Sequence, residues 1–252
     1  MDSVTARERV DYGIDAPGVV QGQAIGGGAG IILGIILYRA LRSARPVLAR
    51  ILLAWGLLGG GSSLVAAAVM AWSSKVGKLR ARDRVLAAIP WRGDETLLDV
   101  GCGRGLLLIA AAKRLTTGKA IGVDIWKSVD QSGNRPEATW ANARAEGVAD
   151  RIDVRDGDAT ALPFQDGVFD VVVSSLVLHN MHHAGERQQA VREMVRVLKP
   201  GGYVAIFDIL HTDEYAHVLH DSGMIDTRRS GSHFLFFFPA RTVTARKPAP
   251  SS

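Results

Sequence analysis

A glycine-rich turn between an apolar segment and a helix-forming one constrains the fold of this chain more than any other feature. Residues 97–100 are mostly apolar and run into Gly101, Gly103 and Gly105, and the Ala/Leu-rich residues 106–115 follow at once. Glycine lets the backbone turn tightly and approach a ligand without a side chain in the way. Because the helix start behind the turn offers free N–H donors, the sequence predicts a ligand site there.

Acidic residues mark the ends of this predicted strand and of two later ones. Asp99 lies just before the turn, and Asp124 ends a second apolar segment about twenty residues further on, the length of one crossover helix and its loops. Asp158 follows a third segment, residues 152–155. Since the carboxyl ends of parallel strands share one edge of a sheet, we expect these carboxylates to face one site. The pattern is typical of a site for an adenosyl cofactor.

The rest of the chain after about residue 75 alternates between strand and helix signals. Strands are predicted at 96–100, 120–125, 152–155, 169–174 and 203–208, with two closing strands at 225–229 and at 234–238 or beyond, where Pro239 separates the latter from 242–245. Helices are predicted at 76–89, 106–115, 137–146, 186–198 and 213–221. This alternation predicts an α/β fold, a Rossmann-like and mainly parallel seven-stranded sheet with helices on both faces.

Two long apolar runs precede this domain, at about residues 19–37 and 51–72. At 1.5 Å per residue, each is roughly long enough to cross a ~30 Å hydrocarbon core. We therefore expect a polar segment at 1–18, a membrane hairpin at 19–74, a catalytic domain at 75–246 and a loose tail at 247–252. A buried helical hairpin in a soluble protein is the alternative, because the many glycines lower helix propensity.

The positive charge of the chain clusters beside these runs. The formal net charge is +5, with basic residues between the two runs and again after the second. No interleaved aromatic and basic patch of the kind that binds single-stranded nucleic acid is present, so nucleic acid is an unlikely partner. We expect membrane localisation with the catalytic domain on the cytoplasmic face. The four arginines between the runs oppose that topology under the positive-inside tendency, and a shallow re-entrant hairpin would relieve the conflict. Oligomeric state is not predicted.

Five short motifs share one order along the chain. They are residues 99–105, 123–124, 157–159, 169–172 and 198–202. Over about residues 95–210 their order and spacing resemble the signature of class I S-adenosylmethionine-dependent methyltransferases. Within that class the chain is similar to the ubiquinone/menaquinone-biosynthesis C-methyltransferase group. A nicotinamide-dependent dehydrogenase is disfavoured, because residues 106–108 are leucines where such enzymes place the third glycine of their loop.

The resemblance implies where the methionine end of S-adenosyl-L-methionine would bind. Gly101, Gly103 and Arg104 would lie under the methionine moiety, with Asp99 orienting it directly or through water. Ser175 matches a position that meets the amino-acid end of the cofactor.

The resemblance also implies an adenosine subsite. Asp124 would accept both ribose hydroxyls, and Asp158 would accept from the adenine amino group. The Ala159 N–H would donate to the adenine ring. Ile125 and Trp126 would cover the face of the base. The alternative for each aspartate is a turn or helix-capping role.

The polar residues after the fourth predicted strand are candidates for proton transfer. His179 would act as general base or position the acceptor, since histidine titrates near neutrality, and the alternative is a polar loop. No acidic or cysteine ligands accompany it at a suitable spacing, so no metal site is predicted. His211 and Tyr215 are weaker pocket candidates, and residues 127–136 are long enough to form a lid.

These features predict methyl transfer from S-adenosyl-L-methionine to a lipophilic small molecule at a membrane. Two other functions stay open. One is a tethered methyltransferase of protein or RNA, and the other is a non-catalytic cofactor-binding membrane scaffold. The hairpin lies outside the shared motifs, so the resemblance does not identify the methyl acceptor.

Overall fold

The computed structural model describes residues 10–127, 131–233 and 239–250. The helices are α1 Pro17–Leu41, α2 Pro46–Trp72, α3 Lys78–Ala87, α4 Leu106–Ala112, α5 Pro136–Ala145, α6 Ala184–Val197 and α7 Thr212–Asp221. The strands are β1 Thr96–Val100, β2 Lys119–Asp124, β3 Ile152–Asp156, β4 Phe169–Ser175, β5 Leu198–Asp208, β6 Ile225–Arg229 and β7 Arg241–Arg246. The strand predicted at 234–238 lies outside the described residues.

The strands form one seven-stranded sheet in the order β3-β2-β1-β4-β5-β7-β6. The first five are parallel, and β7 runs antiparallel to both β5 and β6. Strand order reverses between β1 and β4, which is where open α/β sheets bind ligands. The prediction of a Rossmann-like, mainly parallel sheet is confirmed.

Helices cover both faces of the sheet because its central strands are apolar on both sides. One buried cluster joins the sheet to α3, α4 and α5, with Leu86, Leu108 and Ala143 among its members. The other joins it to α6 and α7, with Met194 and Tyr215 fully buried. The two clusters hold the strand ends rigidly, so side chains at those ends have fixed directions.

The predicted hairpin is two long helices whose glycines meet. A Cβ on Gly60 would lie 2.5 Å from the carbonyl oxygen of Gly27, and one on Gly56 would lie 2.7 Å from that of Gly30. Small residues at these positions let the two backbones approach closely, as in membrane helix pairs. Both helices are long and apolar enough to cross a membrane, and 11% of each apolar window is buried.

The hairpin joins the α/β domain without a flexible linker. From Trp72 the chain continues through a π-helical turn, Ser73–Gly77, directly into α3. The predicted domain boundary at residue 75 therefore falls inside a continuous helical segment. Turns of this kind often mark functional sites, because the extra residue re-aims the side chains around it.

Candidate active site

A cavity of about 430 Å³ opens at the carboxyl ends of β1, β2 and β4. Its lining comes from the glycine turn, from the strand ends, from the segment after β4, and from the end of the hairpin. The lining includes Asp15, Ala16, Met70, Ser74, Lys78, Asp99, Gly101, Gly103, Asp124, Ile125, Gln131, Asn134, Asp158, Ala159, Ser175 and His179. Nine of the eleven predicted site residues line this one cavity; Arg104 and Trp126 do not.

The glycine turn has a backbone that other residues rarely adopt. Gly101 and Gly103 have φ angles of 73° and 52°, in the left-handed region. A Cβ on Gly101 would overlap the side chain of Val177, and one on Gly103 would lie 2.6 Å from Oε1 of Gln131. The turn is thus packed from above, and glycine is needed at both positions.

Asp99 lies beneath the turn and is 2% exposed. Its Oδ2 accepts the backbone N–H of Leu108 at 2.9 Å. Burial raises the pKa of the Asp99 carboxyl to about 7, the Leu108 hydrogen bond lowers it, and the nearby charge of Asp124 raises it. This carboxyl can therefore change its charge near neutral pH.

Asp124 is oriented by three donors at the end of β2. Oδ2 accepts the N–H of Gly103 at 2.8 Å. Oδ1 accepts the N–H of Trp126 at 2.6 Å and the side-chain amide of Asn134 at 3.2 Å. A carboxylate has about four lone-pair sites, so this one keeps capacity for a further donor from the cavity.

The predicted adenine side of the cavity is only partly assembled as expected. Asp158 Oδ1 accepts both the N–H and the hydroxyl of Thr160 at 2.8 Å, the turn role that we left open. Ile125 is 53% exposed and lines the cavity. The Trp126 indole does not line the cavity; it packs partly buried against the core, and its N–H donates to Asp156 at 2.6 Å. Trp126 has a positive φ of 59°, a backbone conformation that residues other than glycine rarely adopt.

Arg104 also points away from the cavity. Its guanidinium donates to the carbonyl oxygens of Asp11 (2.7 Å) and Ser132 (3.0 Å) and pairs with the Asp11 carboxylate at 2.9 Å. We name residues 10–16 the N-terminal strap. Arg104 therefore ties the strap to the glycine turn, a role that its place in the motif does not indicate.

Residues 131–134 close one side of the cavity. Gln131 Oε1 accepts the N–H of Arg104 at 3.0 Å, and Asn134 approaches Asp124. Ser132 and Ile14 of the strap exchange hydrogen bonds. Residues 131–134 thus lie over the glycine turn, as a lid would. Residues 128–130 of the predicted lid lie outside the described residues.

The segment after β4 presents His179 to the cavity against a buried carboxylate. His179 Nδ1 lies 2.6 Å from Oδ1 of Asp208, close but not aligned as a hydrogen bond. The backbone N–H of His179 donates to Asp208 Oδ2 at 3.1 Å. Asp208 ends β5 and is 1% exposed. Asp208 is not among the predicted site residues, although it is an acid at a strand end, the same signal that indicated Asp99 and Asp124.

The two weaker candidates do not line the cavity. Tyr215 is fully buried, and its hydroxyl lies 3.4 Å from Asp208 Oδ2, so it supports the carboxylate from behind. His211 begins α7 with a positive φ and approaches Glu214 at 3.8 Å. Within the described residues, no group of three His, Cys, Asp or Glu side chains is placed to hold a metal ion.

Comparison with known proteins identifies the domain around this cavity. Residues 98–206 match the family described as methyltransferase domain. These residues form a methyltransferase domain. The chain is 34% identical over 134 residues to 27-O-demethylrifamycin SV methyltransferase of Amycolatopsis mediterranei, a match covering 52% of this chain and 44% of that protein.

Two further comparisons agree with the methyltransferase domain. The chain is 35% identical over 117 residues to the ubiquinone/menaquinone biosynthesis C-methyltransferase of Roseobacter denitrificans, covering 46% of this chain and 43% of that protein. It resembles a crystal structure of an S-adenosylmethionine-dependent methyltransferase from Aquifex aeolicus, with a TM-score of 0.52, 21% identity, and coverage of 67% and 90%. The matched region spans less than half the length of either curated relative.

The cavity of the methyltransferase domain fits S-adenosylmethionine. Oδ1 of Asn134, whose amide lies beside Asp124, is a buried acceptor with no partner among the described residues. The cofactor carries the donors that such acceptors need, in its ribose hydroxyls, adenine amino group and ammonium group. Four carboxylates line the cavity against two lysines, an excess of negative charge that suits a sulfonium cation.

Proposed function

We propose that this protein transfers a methyl group from S-adenosyl-L-methionine to a lipophilic small molecule at a membrane. The contact between His179 and the buried Asp208, inside the cavity of a methyltransferase domain, carries the proposal. It supplies a base in the place where an acceptor would lie.

The strand-end carboxylates would hold the cofactor. Asp124, fixed by three donors, would accept the ribose hydroxyls, and Asp99 would orient the methionine end above Gly101 and Gly103. Asp158 and the N–H of Ala159 would meet the adenine. When bound, S-adenosylmethionine supplies an electrophilic methyl group whose sulfur leaves as a neutral sulfide.

His179 would take the proton of the acceptor. Its Nδ1 faces Asp208, so Nε2 is the nitrogen left for the acceptor's O–H or N–H group. Nε2 would accept the proton that the acceptor loses, and Asp208 would stabilise the resulting imidazolium. Such proton transfer typically contributes about 10²–10⁴-fold to a rate.

The hairpin supports a membrane site of action. The hairpin side chains Ile25, Trp55 and Leu58 are 73%, 77% and 75% exposed. Exposure of such apolar side chains to water is unfavourable, and a bilayer would cover them. We propose that the two helices hold the catalytic domain on the cytoplasmic face, where the cofactor is made available. A bound domain would meet a substrate that is dissolved in the bilayer at a raised local concentration.

The test is methyl-label transfer by the full-length chain in native membranes. The extract is separated into lipid, protein and RNA fractions, with the Asp208→Asn variant as control. We expect label in the lipid fraction and its loss in the variant.

Other outcomes would replace this proposal. Label in protein or RNA would make the hairpin a device for localisation only. Cofactor binding with no label in any fraction would favour a non-catalytic membrane scaffold.

A further inference from the structure

The end of the hairpin lines the same cavity as the catalytic base. Met70 of α2, Ser74 of the π-helical turn, and Ala16 at the end of the strap face this cavity together with His179. Anchoring alone does not require a hairpin to contribute residues to the cavity. Its end instead supplies a wall that the sheet and the glycine turn leave open.

The polar part of this wall has an unused acceptor. The N–H of Asp15 donates to the hydroxyl of Ser74 at 3.1 Å, and its Oδ1 lies 3.5 Å from the ammonium of the buried Lys78. Oδ2 of Asp15 is buried without a partner among the described residues. Leaving a buried acceptor unpaired costs free energy, so a donor from a bound molecule would be favourable there.

The size of the cavity limits what can enter it. At about 430 Å³ it lies near the lower end of the ~300–1,000 Å³ range of ligand sites, and it must also hold a cofactor. A long-chain acceptor therefore fits only if its head enters and its chain stays outside. Trp72 ends α2, two residues after Met70, and is 48% exposed, and tryptophan is enriched at the membrane–water interface.

We infer that Met70, Ala16 and Asp15 form an acceptor-binding wall through which a lipid enters laterally from the bilayer. The lipid head, which bears an O–H or N–H group, lies between this wall and His179. Its chain remains along the apolar surface of α2. This inference rests on the proposed function and adds the acceptor's route and the residues that select it.

The test uses Met70 and its neighbour Val69, which is 41% exposed and does not line the cavity. Full-length protein is placed in phosphatidylcholine vesicles that contain a long-chain alkylphenol with a photoactivatable diazirine. After irradiation, labelled peptides are mapped by mass spectrometry. We expect label within residues 70–78 and 176–182 for the wild type and for Val69→Trp, and about tenfold less for Met70→Trp, a loss of about 1.4 kcal/mol.

Controls separate loss of the wall from misfolding. S-adenosylhomocysteine should bind all three proteins with equal affinity. Met70→Ala, which only shortens the side chain, should keep the label and admit a branched-chain phenol probe that the wild type excludes. Equal labelling of Met70→Trp and Val69→Trp, or label confined to residues 47–69, would overturn the wall.

The same proteins distinguish this inference from the proposed function. Labelling as expected with no methyl transfer to any lipid would support the acceptor-binding wall and refute the proposed methyl transfer to a lipid. Methyl transfer to lipid that is equal in Met70→Trp and Val69→Trp would leave the function standing and refute the wall.

Discussion

Nδ1 of His179 lies 2.6 Å from Oδ1 of Asp208, whose side chain is 1% exposed. Two strands create this contact, because His179 follows β4 and Asp208 ends the neighbouring β5. The parallel register pairs Ser175 with Phe207, so the carboxyl ends of β4 and β5 lie side by side at the edge of the sheet. The backbone N–H of His179 also donates to Asp208 Oδ2 at 3.1 Å, so the buried carboxylate contacts both the main chain and the ring of this residue.

Replacing Asp208 by Asn should lower kcat by about 10²–10³-fold while the affinity for S-adenosylhomocysteine stays unchanged. The reason is that Asn keeps the shape of the side chain but removes the charge that stabilises the imidazolium. Turnover and isothermal titration calorimetry measure the two effects. Tyr215→Phe is the matched control, because its hydroxyl lies 3.4 Å from the same carboxylate and outside the cavity, and we expect a much smaller change. A fall in cofactor affinity for Asp208→Asn equal to the fall in kcat would contradict the assignment.

Replacing Asp124 by Ala should weaken cofactor binding by more than about 100-fold. Hydrogen bonds to a charged group contribute about 1.5–3 kcal/mol each, and two ribose hydroxyls would be lost together. Asp156→Ala is the control, because Asp156 pairs with Asp124 across β2 and β3 but does not line the cavity. Calorimetry with S-adenosylhomocysteine measures both variants, and circular dichroism checks that the sheet is retained. Equal affinities for the two variants would remove Asp124 from the site.

The parts of the site that depend on local sequence could be predicted. A short apolar strand, a glycine turn and a helix are specified by adjacent residues, so Asp99 and Asp124 were placed correctly at strand ends. The sheet followed from the alternation of elements. β5 begins at Leu198, five residues before the predicted start, because Leu198 pairs with Phe169 across a bulge that interrupts the register.

The parts of the site that depend on long-range contacts could not be predicted from the sequence. Arg104 forms a hydrogen bond to Asp11, 93 residues away, and no periodicity in the sequence predicts that pairing. The Trp126 indole lies outside the cavity and donates to Asp156, 30 residues away, a contact that the local sequence does not indicate. The wall formed by Met70 depends on the π-helical turn, which adds one residue to a helix that the sequence pattern treats as regular.

Cofactor affinity should depend on pH through Asp99. Burial raises the pKa of its carboxyl to about 7, so below that pH the group is mostly protonated in the free protein. A cationic methionine end favours the ionised form, so binding of S-adenosylmethionine should release a proton below about pH 7. Affinity should therefore rise with pH up to about 7 and then level off.

The effect on folding has the opposite sign. The folded state holds this proton more tightly than the unfolded chain does, whose carboxyl keeps its ordinary pKa of 3.8. The contribution of Asp99 to stability is therefore fully present below about pH 4 and is lost as the pH rises through about 7.

Calorimetry in buffers of different ionisation enthalpy counts the proton that is released on cofactor binding. Asp99→Asn should abolish this release. Proton uptake on binding, or the same release from Asp99→Asn, would contradict the prediction.

Replacing Arg104 by Gln should loosen the N-terminal strap at a cost of about 1–2 kcal/mol. The cost should come from the bonds to the carbonyl oxygens of Asp11 and Ser132, because the Asp11 carboxylate is 68% exposed and such ion pairs contribute little. Asp11→Asn is the control, and we expect a change below about 0.5 kcal/mol.

Hydrogen exchange at the amides of Gly13 and Ile14 reports on the strap directly. These amides donate to the side chains of Asp11 and Ser132, and they should exchange faster in Arg104→Gln. The variant also tests the role that the motif implies for Arg104. If the residue lay under the methionine moiety, Arg104→Gln would weaken S-adenosylhomocysteine binding while the exchange of both amides stayed as in the wild type. Because the Arg104 guanidinium faces the strap, we expect faster exchange of both amides in Arg104→Gln. Any loss of cofactor affinity should be a consequence of the loosened strap.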